Sequence, residues 1–558
     1  MVQSIPHVNV THQAGYVTRV QSTDQTPGFV IESDYGHTNE AVLIKNPGQL
    51  RREFGVNMDL YWAAGGGPFY AVRAVKGTAA KATQILSDDS ATPVELIKLV
   101  AKRSGSKPIY FTVNCYGEAE HKRVSITLEE LYGLSEYYIS VRGSLTAEKD
   151  AFQVLVEKIN QQSDIVDAYY KVDGNWVQEI PEGFTNDDVV IGSEHIETVH
   201  RAILGSQTGG SLGDDGEGLL DEDTRRSFKM LSDVVDDEDE TTDLSPAEQA
   251  HEAALKVLEE SPVGFVFCVR SVEYEDRLDQ ECIDGMGDLY QIYLDHINKM
   301  NTPELHGWRF AVLGANENMN MIERIEYAGD MDNEMVVFVG QGLVDLNGVE
   351  YEPDMAVMAV AGKIAATRYN VAVWGGKASK VLQTDQAFIT DIIPSPGYPV
   401  FEESESVPGT YEITDEEQVT RDDYIRYNES GVVTFIKDSM GVKIREGITT
   451  ISEMLQELGV LAEDELSVIR IINHAKYETY DACYSMIGEA MTPTFKTDLE
   501  QAVVGKLAEM YSEGAISDYS AVATIGASTG RAHGRIQVDI GITPVHAARI
   551  INASIVVN

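Results

Sequence analysis

Apolar positions in this chain recur with two different periods, and the alternation between them marks out its elements. Near the start, Val8-Asn9-Val10-Thr11 and Tyr16-Val17-Thr18-Arg19-Val20 alternate every second residue, the signature of an extended segment rather than a helix. Pro27-Gly28-Phe29-Val30-Ile31 and Ala41-Val42-Leu43-Ile44 read as strands, the first opening on a Pro-Gly turn signal. Asn46-Pro47-Gly48 turns the chain into a short helix ending at Phe54-Gly55, and Gly65-Gly66-Gly67-Pro68 leads into the strand Phe69 to Val75. Pro108 to Val113 and Tyr137 to Val141 suit strands, whereas Ala151 to Ile159 has helical spacing. Further on, a helix over Ala247 to Glu259 precedes a buried strand, Val263 to Val269. A second helix, Gly287 to Met300, precedes the strands Arg309 to Leu313 and Met335 to Val339. Strand and helix alternating at this spacing predict a three-layer α/β unit.

The last third opens with an apolar helix, Met355 to Thr367, and carries another at 497–513. There Thr497 and Glu500 have the spacing of a capping box, Leu499, Val503, Leu507 and Met510 share one face, and Gly514 stands at the stop. Ile536, Val538, Ile540 and Ile542 then alternate with Gln537, Asp539 and Gly541, and after Pro544 the tail runs Ile550 to Val557. The pattern divides the chain into an extended arm (1–24), a core segment (25–87) and a self-contained inserted domain (88–200). A Gly-rich and acidic loop (201–247), an α/β domain (248–400), a C-terminal core domain (401–534) and a C-terminal β arm (535–558) follow. No internal repeat is present.

Composition narrows the chemistry. A formal net charge of −47 repels phosphate backbones and anionic lipid, which weighs against nucleic acid or membrane as a direct partner. It also keeps free subunits soluble at high concentration. Asp221-Glu222-Asp223 and Asp236-Asp237-Glu238-Asp239-Glu240 form dense acidic runs, which are expected to be exposed. No stretch reaches the ~20 apolar residues of a membrane span, and the start, Met1-Val2-Gln3-Ser4, has no signal-peptide pattern, so a cytosolic origin is expected. The four cysteines, Cys115, Cys268, Cys282 and Cys483, form no CxxC pair and give no metal or disulfide framework.

Fragments that resemble catalytic motifs each fail on spacing. Gly375-Gly376-Lys377-Ala378-Ser379 has Ala378 where a phosphate-binding loop needs Ser or Thr, and Val371 where it needs Gly. His251-Glu252 lacks a second His at Leu255, and Gly526 to Gly530 is not a nucleophile elbow. Asp214-Asp215-Gly216-Glu217 lacks the ligand spacing of a calcium loop. No catalytic residue, cofactor or metal site is expected, and the weight shifts to assembly. An unpaired strand readily joins another chain, so arms at both ends predict a lattice. The arm residues proposed for subunit contact are Val8, Val10, Tyr16, Val17 and Val20, then Ile536, Val538, Ile540, Ile542, Ile551, Ile555 and Val557.

Several stretches are similar, in order, to the contractile tail sheath proteins of myovirus-type phages and related injection machines. Pro27-Gly28-Phe29-Val30 through Gly65-Gly66-Gly67-Pro68 to Val75 resembles the opening of that family. Gly209-Gly210-Ser211 with Gly213 to Gly216 resembles the Gly-rich loop after its inserted domain, and Ala361 to Arg368 with Asn370 to Trp374 its entry into the C-terminal region. Gly431 to Phe435 and Pro493-Thr494-Phe495 through Gly514-Ala515-Ile516 continue the likeness, and Val538 to Val545 is similar to its close. A longer Trp-bearing segment usual before Ala361 is missing, and the acidic loop 221–247 is particular to this chain.

The resemblance implies a multidomain α/β and α+β protein with a sheath core built from N- and C-terminal parts. Outward-facing inserted domains and extended terminal β arms, which complete sheets in neighbouring subunits, belong to the same implication. It implies a structural subunit that polymerises around an inner tail tube, contacts baseplate and tail terminator proteins, and contracts to drive the tube through a host envelope. It further implies a virion tail component assembled in the host cytoplasm. The rival expectations are a hydrolase built on the central α/β domain and another lattice protein, of a capsid or a surface layer.

Overall fold

The computed structural model describes residues between 23 and 546, apart from several short stretches and the segments 142–150, 179–198, 205–245, 270–279, 374–391, 452–464 and 526–535. The acidic loop, Gly375 to Ser379 and Gly526 to Gly530 therefore lie outside the described residues, as do Val8, Val10, Tyr16, Val17, Val20, Ile551, Ile555 and Val557.

A seven-stranded sheet forms the core. From one edge its strands are Val432–Val433, Val336–Val339, Phe310–Gly314, Val263–Cys268, Thr23–Glu32, Phe69–Ala74 and Val42–Ile44. All neighbours are parallel except the last pair. Every residue of Val263–Cys268 is buried, as expected of a parallel strand covered on both faces.

The alternation along Thr23–Glu32 shows what covers each face. A Cβ at Gly28 would meet Leu258, and Glu32 meets His251, so one face lies under the helix Pro246–Leu258. Phe29, on the other face, stacks on Phe267 at 4.7 Å, and Phe267 in turn stacks on Tyr61 of the helix Asp59–Ala63. That short helix crosses the buried helix Pro353–Ala366, where Gly362 lets the Tyr61 carbonyl approach without a side chain between. The expected three layers are therefore present. They are not confined to 248–400, because the N-terminal strands sit in the middle of the same sheet and Val432–Val433 forms its edge.

Residues from Ala82 to Leu204 bury a second apolar cluster of their own. It lies among Lys81–Ser87, Glu95–Gly105, Val166–Val172 and Asn175–Val177, the four-stranded sheet from Ile109–Tyr116 to Val199–Ile203, and the helix Ala151–Gln162. Lys81–Ser87, placed with the core segment by pattern alone, pairs with Glu95–Gly105, because a strand joins the nearest partner that a short connection allows.

The two units meet at a polar junction. Tyr35 and Gly36 pair with Gly105 and Ser104, and the Arg103 guanidinium bonds Glu53 of the helix Pro47–Phe54 at 2.6 and 2.8 Å. Burial raises the Glu53 pKa, but the His37 hydrogen bond, the Arg103 charge and bonds from Arg103 and Arg52 outweigh it and hold the group at about 2.

Candidate subunit interface

The C-terminal residues build a third cluster around two helices, Leu466–Tyr484 and Phe495–Ser512. Three contacts seat it on the core. Arg470, fully buried, donates to the Thr367 carbonyl at 2.5 Å and the Ile364 carbonyl at 3.5 Å, placing a cation at the negative end of Pro353–Ala366. Tyr477 donates to the Gly307 carbonyl at 2.7 Å, and its ring stands edge-on to Trp308. Tyr369 donates to Glu513 at 2.6 Å, and its ring stacks on His474. The two helices are bridged by Lys506 and Glu478 at 2.7 Å, a hydrogen bond that raises the lysine pKa.

Phe495–Ser512 presents Leu499, Val503, Leu507 and Met510 to the cluster, the face that the helical spacing predicts. The capping box does not form. The helix begins two residues before Thr497, with Thr494 as N-cap and no side-chain cap, so Thr497 sits inside it. Glu500 turns away from the helix end, and its carboxylate accepts from the Ala523 amide at 2.8 Å. Spacing alone could not reveal a partner 23 residues distant.

After Gly514, whose φ of 76° needs a glycine, the chain runs out along Ile516–Ile525 and returns along Ile536–Pro544. These strands pair antiparallel, Ala523 opposite Val538, Ala521 opposite Ile540, and Tyr519 opposite Ile542. Val538 is buried, whereas Ile536, Ile540 and Ile542 are only half covered. The opposite face carries exposed Val522, Asp539, Thr524 and Gln537. Among the described residues no third strand joins this sheet.

Of the predicted arm residues, the structure brings together Ile536, Val538, Ile540 and Ile542. It places them in a hairpin of their own chain. The partner strand Ile516–Ile525 was missed because, after the buried Ile516, the positions it turns to the cluster are the half-covered Tyr519 and Ala521 and the buried Ala523, too small or too polar to stand out as an apolar alternation. Arg470 and Tyr477 were missed because their partners are core carbonyls more than a hundred residues away. His251 is held by Glu32 at 2.7 Å and Tyr293 at 3.1 Å inside the core. Among the described residues no cluster of three ligating side chains is present, and no helix is long and apolar enough to cross a membrane.

Residues 462–558, which contain both helices and the hairpin, match the family model of the phage tail sheath C-terminal domain. No curated protein matches the chain. A sheath tail protein from Listeria innocua is similar in structure over 93% of this chain and 95% of its own, with a TM-score of 0.52 at 13% identity. A sheath tail protein from Desulfitobacterium hafniense matches over 96% of this chain and 100% of its own, with a TM-score of 0.51 at 12% identity.

Proposed function

We propose that this chain, whose residues 462–558 belong to the phage tail sheath family and whose fold is that of sheath tail proteins, is the subunit of a contractile tail sheath. Its role is structural. Copies polymerise in stacked rings around an inner tube, above a baseplate and below a terminator, as part of a virion tail assembled in the host cytoplasm. On triggering, the lattice moves to a shorter and wider packing and drives the tube through the envelope. That is a population shift between two arrangements of the same rigid bodies, which needs no nucleotide.

The observation that carries this reading is that the family match falls on a unit ending in a two-stranded sheet that no third strand joins among the described residues. Main-chain pairing with a neighbour depends little on side-chain identity and tolerates tilting of the bodies it joins. In this reading residues 1–24 and the tail beyond Pro544 are the donors, and the hairpin is the receiver. The 88–200 region, which has its own buried cluster, projects outward and carries no assembly contact.

Negative-stain electron microscopy of the full chain tests the proposal, with tubes expected; a flat lattice, a closed shell or no polymer would refute it. Deletion of residues 1–20, or of 549–557, should leave a folded subunit that forms no tubes. Ordered tubes of normal length from either deletion would remove the arms from the mechanism.

A further inference from the structure

One edge of the seven-stranded core sheet is met by a side chain rather than by another strand. Val42–Ile44 ends the sheet there, antiparallel to Phe69–Ala74, with Val42 opposite Ala71, Leu43 opposite Tyr70 and Ile44 opposite Phe69. The helix Pro47–Phe54 follows almost at once, capped by Asn46, and its third residue, Gln49, reaches back to that edge. The Gln49 side-chain NH2 donates to the Leu43 carbonyl at 3.0 Å, and its oxygen accepts from the Lys45 amide at 3.0 Å. A carbonyl only accepts and a backbone N–H only donates, so these two partners fix which way the Gln49 amide faces.

Those bonds reveal the phase of the ladder. In an antiparallel pair each residue sends its N–H and C=O to one side, and successive residues alternate. Leu43 and Lys45 therefore turn their backbone groups away from Phe69–Ala74, as does Ala41, while Val42 and Ile44 bond inward. The Gln49 amide takes the carbonyl before Ile44 and the N–H after it, the two groups that a residue of a parallel neighbouring strand would take. The stretch Ala41-Val42-Leu43-Ile44 is apolar, and its first three residues are only partly buried. It carries neither the charge nor the proline that commonly keeps such an edge from pairing. Near the opposite edge main-chain amides take carbonyls instead: Arg445 donates to Thr434 at 2.9 Å, just beyond Val432–Val433, and Thr450 to Val336 at 3.0 Å.

We propose that the Gln49 side chain stands in for a neighbouring strand and so prevents two copies from joining their core sheets through Ala41 to Lys45. The excluded partner is the same edge of a second copy. Two such edges, related by a two-fold axis at Leu43, would pair antiparallel with Leu43 opposite Leu43 and Ala41 opposite Lys45. Each Leu43 N–H would then need the other copy's Leu43 carbonyl, and each Ala41 carbonyl the other copy's Lys45 N–H. Gln49 already holds both of those groups. The contact is autoinhibitory: it keeps free subunits from fusing sheet to sheet, an outcome that would compete with any ordered assembly. The edge involved is distant in sequence from both arms, and the proposal stands independently of arm exchange.

Amide hydrogen exchange and sedimentation of the dispersed full-length chain are the test. In the parent, the Lys45 amide should be protected at least tenfold more than the Leu43 amide, each relative to its unstructured rate, because Gln49 holds the first and leaves the second open. Gln49→Ala should erase that difference at low concentration. As its concentration rises it should form dimers in which both amides slow by at least tenfold. Gln49→Glu still accepts from Lys45 and adds a charge to the edge, so it should stay dispersed as the parent does. Equal protection of Leu43 and Lys45 in the parent would overturn the proposal before any variant is made. So would a folded Gln49→Ala chain that frees the Lys45 amide yet sediments like the parent at every concentration. Dimers whose newly slowed amides lie in Ile536–Pro544 would also overturn it, since the hairpin and not the core edge would then join the copies. Every readout is taken on dispersed subunits, so a failure to form tubes, which would refute the sheath reading, is a separate result.

Discussion

Replacing Arg103 by methionine keeps the bulk of the side chain but takes the buried cation away from Glu53, a contact that joins the unit of the second apolar cluster to the core sheet. Glu53 is 7% exposed, and its pKa falls from 4.5 to about 2 in the folded chain. At about 1.4 kcal/mol per unit, that shift corresponds to about 3 kcal/mol of stability linked to the ionised carboxylate. Because the folded pKa lies below the unfolded one, this stability is fully present above pH 4.5 and is lost as the pH falls towards 2. With Arg103 gone, His37 and Arg52 remain on the carboxylate, but burial pushes its pKa back up. Arg103→Met should therefore cost about 2–3 kcal/mol at pH 7 and almost nothing near pH 2, where the carboxylate is half protonated in the parent chain as well. Hydrogen exchange at Tyr35, Gly36, Ser104 and Gly105, the strand pairing beside the ion pair, reads this directly. Equal protection of parent and variant at pH 7, or parallel pH dependence in both, would refute the reasoning.

Three more outcomes follow from the same kind of accounting. Burial, then the charges of Arg309 and Lys299, hold the His296 pKa well below its usual value. The unfolded chain therefore takes up that proton first, so stability should drop by up to about 1.4 kcal/mol per unit as the pH falls below about 6.5; His296→Gln should flatten this slope in thermal melts between pH 7 and 5, and an unchanged slope would count against it. Gly362→Ala drives a methyl into the Tyr61 carbonyl, and the helix crossing should lose about 2–3 kcal/mol, visible as a lower melting temperature of the core. Leu507→Ala, at a fully buried position, should cost about 3 kcal/mol and lower exchange protection in both hairpin strands while the amides of Val263–Cys268 keep theirs.

Local pattern was enough to find the elements that carry their own periodicity and punctuation within a few residues of each other, but it passed over others as long as the helix Leu466–Tyr484. The helix Pro47–Phe54 carries its own Asn46 cap and Gly55 stop, and Val263–Cys268 announces full burial by its unbroken apolar run. Glycines misplaced one start: Gly285 and Gly287 discourage a helix, yet Gln280–Met300 runs through both. What pattern could not supply was pairing. Val432–Val433 is two residues long, too short to show any period, yet it closes one edge of the core sheet. The N-terminal strands gave no hint that Val263–Cys268, more than two hundred residues later, would lie beside them. The candidate interface was half legible for the same reason. The alternating isoleucines of Ile536–Pro544 stood out, but the strand beside them, and the Glu500 carboxylate that accepts from its Ala523 amide, find their partners only through the register.

The position of Thr23–Glu32 has a mechanical consequence. Residues 1–22 lead directly into a strand that lies inside the sheet, gripped by a parallel neighbour on each side, Val263–Cys268 and Phe69–Ala74. Tension applied through that leader runs along the strand axis, so the bonds on both flanks are loaded together in shear rather than unzipped one after another from an end. A pull on the leader is thereby shared across the middle of the core, with Phe29 wedged between Phe267 and Phe69 as the friction against slippage. In a single-molecule stretching experiment, the core should yield in one high-force event when held by its N-terminus, whereas the isolated pair Ile516–Ile525/Ile536–Pro544, pulled apart from its open ends, should peel at low force.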